Sequence, residues 1–328
     1  MYDTSYFPGT IRSKAGNAPL VEKAINHYNL VYYSEDNSME NRRLIFIGAH
    51  PDDETFAVGG TLAQYAAAGV EVYYACATRG EAGTVDPAKL RGFKEMGDMR
   101  WSELECAVKE LGLAGLVHLG YRDSGMPGWA DNKHPRALIN VPVDEAAGPI
   151  VKVIRELRPQ VVVTHDPIGG YRHPDHIAVH KAAVRAFYAS SDPAQYPEAG
   201  VAFQPQKLYF HIFPRRALKL VVRLMPLIGK DPHKFGRNGD IDLASLVEVD
   251  FPENAVIRLS EEAVRTRERA RRCHISQMGD STPQSKLWRL ANKLLQQHDS
   301  YMRAYPVQKK RRKEYDLFEG VVWGNSLF

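Results

Sequence analysis

The segment Leu44-Ile45-Phe46-Ile47-Gly48-Ala49-His50-Pro51-Asp52-Asp53-Glu54 decides the predicted fold. Its apolar beginning is typical of a buried parallel strand, and the Ala- and Leu-rich stretch 55–68 is typical of a helix that ends at Gly69. A histidine and two carboxylates therefore fill a strand-to-helix turn, where ligands gather in open α/β sheets. A helix-capping aspartate would explain one of these carboxylates, but not the whole group.

A second segment rich in histidine follows another apolar stretch. Tyr171-Arg172-His173-Pro174-Asp175-His176 lies shortly after 160–164, which reads Gln-Val-Val-Val-Thr. Two such segments after two predicted strands indicate a metal site.

Strands and helices alternate along the chain up to residue 213. Strands are predicted at 44–47, 70–77, 116–119, 160–164 and 207–213, and helices at 55–68, 93–111, 150–157 and 174–190. This alternation predicts an α/β, Rossmann-like fold with a mostly parallel sheet and helices on both faces. Four polar loops, 50–54, 78–81, 120–126 and 165–176, follow the first four strands. They are expected to share the carboxyl edge of the sheet, where such folds bind ligands.

The domain organisation is predicted from the remaining stretches. Residues 1–42 form an N-terminal extension, and 43–328 form one domain with a C-terminal elaboration. Within it, 214–252 is an irregular insertion, a candidate lid or oligomer contact, which leaves a homo-oligomer possible. Helices are expected at 260–273 and 286–297.

Composition excludes several classes of protein. The chain has 328 residues, of which 44% are hydrophobic and 25% charged, as in ordinary globular proteins. It has neither an apolar stretch of about 18 residues nor the apolar core of a signal peptide, so we expect a cytoplasmic protein without a membrane partner. The net charge of +4 depends on the run Lys309-Lys310-Arg311-Arg312-Lys313. Because nothing else resembles a nucleic-acid module, nucleic acid is not an expected partner.

The three cysteines, Cys76, Cys106 and Cys273, share no short spacing. We therefore expect neither a disulfide framework nor a cysteine-based zinc site. Cys76 and Cys106 are predicted to be small apolar fillers in a strand and a helix.

The two histidine segments can supply a catalytic zinc site, which takes three nitrogen or oxygen ligands and leaves a position for water. His50 and Asp53, three residues apart in a tight turn, can chelate one ion, with His176 as the third ligand. Asp52 can then accept the proton of the metal-bound water as general base. His173, beside Asp175 at a helix start, can be held protonated and face a developing oxyanion.

Each of these assignments has an alternative at this point. His180, four residues after His176, can also bind the metal, although a supporting or surface role is favoured. Asp175 can simply cap its helix, and His165 can be an ordinary loop histidine. Packing or surface roles are open for Tyr171, Arg79 and Arg100.

The two motifs 49–54 and 173–176 together resemble the PIG-L/LmbE-like family of zinc-dependent N-acetylglucosaminyl deacetylases. The resemblance extends over 43–259, and His274-Ile275-Ser276-Gln277 adds to it. The loop 120–126 is similar to that of the bacterial thiol-cofactor branch, which acts on glucosaminyl-inositol conjugates.

The resemblance implies roles for individual residues. It implies zinc ligation by His50, Asp53 and His176, with Asp52 as the base and His173, oriented by Asp175, as the residue that stabilises the tetrahedral intermediate. It also implies substrate contacts from Arg100, Asp123, Met126 and Tyr171. The chain departs from the family pattern at Arg172, where a small residue is frequent, in its N-terminal extension, and in 214–252.

The leading hypothesis is therefore a zinc-dependent hydrolase that removes an N-acetyl group from an N-acetylglucosaminyl-type small molecule, although other divalent metals are possible. An amidase that removes a larger acyl group is a close alternative. A mononuclear iron enzyme would use Asp52 as its carboxylate ligand, but such sites usually occupy β-barrels. A non-catalytic sugar-binding protein is a further alternative, and the spare Asp52 and His173 disfavour it.

Overall fold

Eight strands form one mixed sheet in the computed structural model, which describes residues 31–32, 42–83, 90, 92–213, 215–234, 239, 241–278, 297–308 and 312–323. In chain order the strands are β1 Val31–Tyr32, β2 Arg43–Gly48, β3 Glu71–Cys76, β4 Gly115–His118, β5 Val161–His165, β6 Lys207–Ile212, β7 Ala255–Arg258 and β8 His298–Tyr305. Their order in the sheet is β1-β4-β3-β2-β5-β6-β8-β7.

The five central strands, β4-β3-β2-β5-β6, pair in parallel, while β1, β8 and β7 pair antiparallel at the two sides. The predicted mostly parallel sheet is confirmed. The chain moves outward from β2 in one direction to β4, and then restarts on the other side of β2 with β5. The crevice at such a switch point is where open α/β sheets bind ligands. The register Ile47↔Thr164 brings the loops that follow β2 and β5 side by side.

The strand β2 is apolar throughout because both faces of the sheet are covered. Leu44 and Phe46 belong to the hydrophobic cluster on one face, and Ile45 and Ile47 belong to the cluster on the other. This alternation follows from the two-residue period of a strand. All four side chains are fully buried.

Helices cover both faces, as predicted. They are α1 Asp53–Phe56, α2 Gly59–Ala67, α3 Met96–Leu111, α4 Val143–Leu157, α5 Gly169–Arg172, α6 Pro174–Ala189, α7 Arg215–Leu224, α8 Leu243–Leu246 and α9 Glu261–Cys273. Short 3-10 turns occur at Ala130–Lys133, Leu138–Asn140, Pro197–Ala199 and Met225–Ile228. Helices α2, α3 and α9 pack on one face of the sheet, and α4 and α6 pack on the other.

Most predicted boundaries agree with the structure. Gly112, in the left-handed conformation at φ 70°, caps the end of α3, and Pro174 is the first residue of α6. The single helix predicted over 55–68 is instead two helices, because the backbone leaves helical geometry at Val58. The helix predicted over 286–297 lies, except for its last residue, outside the described residues. Within the N-terminal extension, Val31–Tyr32 adds a short antiparallel strand beside β4.

The prediction for the cysteines was wrong in one respect. Cys106 and Cys273 form a disulfide with a Cα–Cα distance of 5.8 Å, across a sequence separation of 167 residues. Cys106 is exposed on α3 and is not a core filler. The bond forms because α3 and α9 pack together, which no spacing in the sequence reveals. Cys76 is a buried free cysteine, as predicted.

The C-terminal part of the basic run is neutralised locally. Arg312 pairs with Glu319 at 2.8 Å, and Lys313 pairs with Glu253. Residues 309–311 lie outside the described part of the chain.

Candidate active site

The three predicted metal ligands approach one another at the switch point. Nδ1 of His50 lies 3.2 Å from Nε2 of His176, and this nitrogen lies 3.3 Å from Oδ1 of Asp53. The separation between His50 Nδ1 and Asp53 Oδ2 is 4.0 Å. All three side chains are buried. His50 and Asp53 come from the turn after β2, and His176 comes from the first turn of α6.

The two carboxylate oxygens of Asp53 have different surroundings. Oδ2 accepts the backbone N–H groups of Ala49 and His50, each at 2.9 Å, and lies 3.1 Å from Nε2 of His165. Oδ1 faces His176 instead. Burial would raise the pKa of Asp53, but His176 and His165 hold it well below its usual value. Asp53 is therefore a charged side chain with one oxygen anchored to the turn and the other directed into the cluster.

Three sets of side chains among the described residues have ligand atoms within 4.8 Å of one another. One contains His50, His173 and His176; a second contains Asp53, His165 and His176; the third contains His50, Asp123 and Asp175. His176 belongs to two of these sets. The predicted ligands are divided between them, and His165 stands beside Asp53 as a fourth candidate. The sequence leaves an ordinary loop role open for His165, because the distance of this residue from Asp53 depends on the pairing of β2 with β5.

Asp52, the predicted base, lies at the edge of this cluster. Its Oδ2 accepts a hydrogen bond from Nη2 of Arg100 at 3.0 Å. Burial raises the pKa of Asp52 to about 6, against the opposing effect of Arg100. Because Asp52 faces Arg100 while Asp53 lies between imidazoles, the geometry favours Asp53 over Asp52 as the metal-facing carboxylate. This argues against the iron-enzyme alternative, which requires Asp52 as the carboxylate ligand.

Arg100 is buried, and its guanidinium is bound to protein groups. Nη2 also donates to the carbonyl oxygen of Pro51 at 2.6 Å, and Nη1 donates to that of Gly80 at 3.2 Å. Gly80 has φ 70°, and a Cβ atom there would lie 2.1 Å from Nη1 of Arg100. Arg100 therefore holds the turn of Asp52 in place. Its predicted contact with substrate stays a prediction.

His173 and Asp175 are arranged differently from the prediction. The carboxylate of Asp175 contacts Nε2 of His50 at 3.2 Å and accepts the N–H of Ser124 at 2.8 Å, so it does not orient the His173 ring. The backbone N–H of Asp175 donates to Nδ1 of His173 at 3.2 Å instead. Burial and the neighbouring His50 and His176 lower the pKa of His173 well below its ordinary value. Burial beside His50 and His176 therefore disfavours the protonated ring that the sequence predicts for His173.

The predicted substrate residues surround the cluster on several sides. Asp123 is buried, with Oδ1 at 3.5 Å from Nε2 of His50 and Oδ2 at 4.0 Å from Nη1 of Arg100. The ring of Tyr171 lies edge-on to that of His176, with centroids 5.1 Å apart. Met126 is half-buried on the same loop as Asp123. The structure places Asp123 against His50 and Tyr171 against His176, two of the predicted ligands.

His180 is turned away from the cluster. Its Nδ1 donates to the carbonyl oxygen of His165 at 2.8 Å, and its ring packs edge-on against Phe210 at 4.5 Å. A supporting position of this kind is what the sequence favoured over ligation.

The insertion 214–252 lies beside the site. Side chains of α7 and α8, including Leu218, Val222 and Leu243, form a small cluster with Ile168 and Tyr171 of the loop after β5. Arg172, the departure from the family pattern, adopts φ 68° and donates from Nε to the Ser245 hydroxyl at 3.3 Å. The described part of the insertion therefore packs on the loop that precedes His173.

Residues 45–187 match the family model described as PIG-L, GlcNAc-PI de-N-acetylase. The chain is also 40% identical over 241 residues to a 1D-myo-inositol 2-acetamido-2-deoxy-alpha-D-glucopyranoside deacetylase of Geodermatophilus obscurus, covering 71% of this chain and 79% of that protein. The chain belongs to the PIG-L family. An enzyme with the same name from Streptomyces scabiei is 36% identical, covering 88% of this chain and 92% of that enzyme.

The PIG-L fold is shared with solved structures of low sequence identity. N,N'-diacetylchitobiose deacetylase from Pyrococcus horikoshii matches with a TM-score of 0.53 and 18% identity, covering 80% of this chain and 83% of that one. A conserved protein from Thermus thermophilus matches with a TM-score of 0.52 and 22% identity, covering 81% of this chain and 96% of that one.

Its relatives place this PIG-L chain among the hydrolases of non-peptide carbon–nitrogen amide bonds. The hypothesis of a non-catalytic sugar-binding protein is thereby overturned. Among the described residues, no helix has both the length and the apolar character that crossing a bilayer requires.

Proposed function

We propose that the protein is a zinc-dependent deacetylase that removes the acetyl group from an N-acetylglucosaminyl-inositol substrate. The observation that carries the proposal is the convergence of His50, Asp53 and His176, with Asp52 beside them, at the switch point of the sheet. The names of the two relatives from Geodermatophilus obscurus and Streptomyces scabiei support this choice of substrate.

The donor set suits a zinc ion. A tetrahedral ion with bonds of about 2.0–2.1 Å to nitrogen and oxygen needs ligand atoms roughly 3.3 Å apart. The contacts of His176 with His50 and Asp53, at 3.2 and 3.3 Å, have this spacing. We assign His50, Asp53 and His176 as the ligands, and His165 as the residue that holds Asp53. A bound zinc ion would supply Lewis-acid polarisation of the amide carbonyl and lower the pKa of a water molecule.

Asp52 is proposed to accept a proton from the attacking water. Its pKa of about 6 is well matched to proton transfer near neutral pH, because a base is most effective when its pKa approaches the working pH. Arg100 holds one carboxylate oxygen of Asp52 at 3.0 Å. The other oxygen is then the one assigned to the proton transfer.

His173 is proposed to stabilise the oxyanion as a neutral donor. Its Nδ1 accepts the N–H of Asp175, so the proton of the neutral ring lies on Nε2. An N–H donor in a buried site stabilises developing negative charge without the cost of a buried cation. Asp175 acts through its backbone on His173 and through its carboxylate on His50.

The sugar is assigned to the side of the cluster lined by Asp123, Met126 and Tyr171, with Arg100 behind Asp123. A carboxylate suits sugar hydroxyls, because each hydroxyl can donate a hydrogen bond to it. Tyr171 supplies an aromatic edge beside His176.

The test is acetate release by the zinc-loaded protein from a panel of N-acylated glucosaminides. N-acetylglucosaminyl-inositol is expected to be hydrolysed with a higher kcat/KM than N-acetylglucosamine or an N-butyryl analogue. Activity should disappear with a chelator and return with zinc. A metal-replete protein that releases no acetate from any member would contradict the proposal, and preference for the larger acyl group would favour the amidase alternative.

A further inference from the structure

Two fully buried side chains meet behind the predicted base. Nε2 of His274 lies 2.7 Å from Oε1 of Glu54, and neither side chain has exposed surface. The second carboxylate oxygen of Glu54, Oε2, accepts the backbone N–H of Asp52 at 2.9 Å. The carboxylate of Glu54 therefore joins the backbone of Asp52 to a histidine 220 residues further along the chain.

The backbone of Asp52 needs such support. Asp52 has φ 126° and ψ −24°, a backbone conformation that L residues rarely adopt. A strained conformation of this kind persists only where surrounding contacts hold it. Glu54 holds the N–H of Asp52, and Arg100 holds its carboxylate and the preceding carbonyl of Pro51. If the hold on the N–H is released, relaxation of φ would swing the Asp52 carboxylate away from its place beside the cluster.

The segment that carries His274 is held against α3 by several contacts. His274 follows α9 directly, and two residues later the N–H of Ser276 donates to Oε1 of Glu103 on α3 at 2.7 Å. The disulfide from Cys273 to Cys106 ties the same segment to α3. A buried carboxylate such as Glu54 is costly without partners. The Thr55 hydroxyl donates to Oε1 at 2.5 Å, and His274 contacts the same oxygen as the one imidazole partner of Glu54 among the described residues.

We propose that Glu54 and His274 are positioning residues for Asp52: they fix its strained backbone so that its carboxylate faces the reacting water. The inference rests on the proposed function, since it presumes that Asp52 is the base. Among the described residues, His274 has no hydrogen bond to the predicted ligands or to the predicted sugar side, and its hydrogen-bonded connection to Asp52 runs through Glu54.

The experiment compares acetate release by wild type, His274→Ala and His274→Gln, each loaded with zinc. His274→Ala is expected to lower kcat by roughly 10- to 100-fold, because displacement of a catalytic group by about 1 Å has effects of this size. KM and zinc per chain should stay unchanged, because ligands and sugar contacts are intact. His274→Gln, whose amide can still donate to Glu54, should recover part of the lost kcat. If His274→Ala does not fold, His274→Gln and Glu54→Gln carry the same comparison.

Ser276→Ala is the matched control. It removes the buried hydroxyl of Ser276, which donates to Oε2 of Glu103, and it leaves the contact between His274 and Glu54 intact. We expect it to lower the melting temperature, with kcat within about threefold of wild type, because the backbone N–H of Ser276 can still donate to Glu103 and keep the segment in place. The Asp52→Asn background gives the second control. There His274→Ala should change kcat by less than about twofold, because effects of residues that act as a unit are not additive.

The outcomes separate the inference from the proposed function. A wild-type protein that releases no acetate contradicts the proposed function. An active wild type with an equally active His274→Ala contradicts the inference alone. Equal losses of kcat in Ser276→Ala and His274→Ala, or a full additional loss in the Asp52→Asn background, would show that His274 only stabilises the fold.

Discussion

Nε2 of His165 lies 3.1 Å from Oδ2 of Asp53, the carboxylate oxygen that is turned away from His176. The same oxygen accepts two backbone N–H groups of the turn, so three contacts hold one side of the carboxylate. Partners of this kind orient a metal ligand and raise its affinity for the ion. The strand pair β2 and β5 creates this contact, because His165 ends β5 next to the end of β2.

His165→Ala should therefore weaken zinc binding without abolishing it. Loss of a residue that orients a ligand typically costs about 10- to 100-fold in metal affinity. Competition with a chromophoric chelator would measure the dissociation constant. Zinc affinity equal to that of wild type would show that the backbone contacts of Asp53 suffice, and a complete loss would make His165 a ligand.

His50→Ala is expected to remove most of the bound zinc, because it deletes one of three proposed ligands while the strands beneath it stay packed. Metal content after dialysis, measured by atomic emission, checks this expectation. His180→Ala is the control, since the His180 ring donates to the carbonyl of His165 and lies outside the cluster. Retention of zinc by His50→Ala together with its loss from His180→Ala would refute the assignment.

Asp52 and Asp53 are neighbours with different proposed roles. Asp52→Asn keeps the shape of the side chain but cannot take the proton, and loss of a general base typically costs about 10²–10⁴-fold in rate. We expect Asp52→Asn to keep nearly one zinc per chain with a fall in kcat of that size, and Asp53→Asn to lose zinc. The reverse result, with zinc lost in Asp52→Asn and kept in Asp53→Asn, would fit the iron-type ligand set.

Gly80→Ala should disturb the base through Arg100. The added Cβ would lie 2.1 Å from Nη1 of Arg100 and would push the guanidinium from Asp52. A fall in kcat of roughly 10- to 100-fold is expected from displacement of this size. Gly69→Ala is the control, because Gly69 has a similar φ of 81° but no atom within 4 Å of the added Cβ. If kcat falls by the same factor in both variants, the loss comes from backbone strain and not from displacement of Arg100.

The disulfide should contribute to stability under oxidising conditions. A bond that closes a loop of 167 residues removes enough entropy from the unfolded chain to stabilise by about 5 kcal/mol in the chain-entropy treatment, and measured values are typically about 2–4 kcal/mol. Reductant should lower the melting temperature of wild type and leave that of Cys106→Ser/Cys273→Ser unchanged. Thiol titration of the unreduced, denatured chain should find one thiol, that of Cys76. Three thiols would contradict the bond.

Much of the fold could be predicted from residue patterns alone. The apolar run of β2 and the stop at Gly112 are local features, because burial on both faces and a left-handed cap each require particular residue types at those positions. The motifs after β2 and β5 could be placed at one edge, since parallel strands bring their carboxyl ends together. The approach of His50 to His176 follows from that placement.

The remaining features depend on contacts between distant segments. His165 faces Asp53 only because β5 pairs with β2, and Cys106 meets Cys273 only because α9 packs on α3. The carboxylate of Asp175 lies on His50 and Ser124 because the loop after β4 reaches the start of α6. Side-chain spacing along the chain determines which residues share an element and an edge of the sheet. Which partner each side chain meets was decided by tertiary packing, because a buried polar group is stable only where the folded chain brings it a complementary atom.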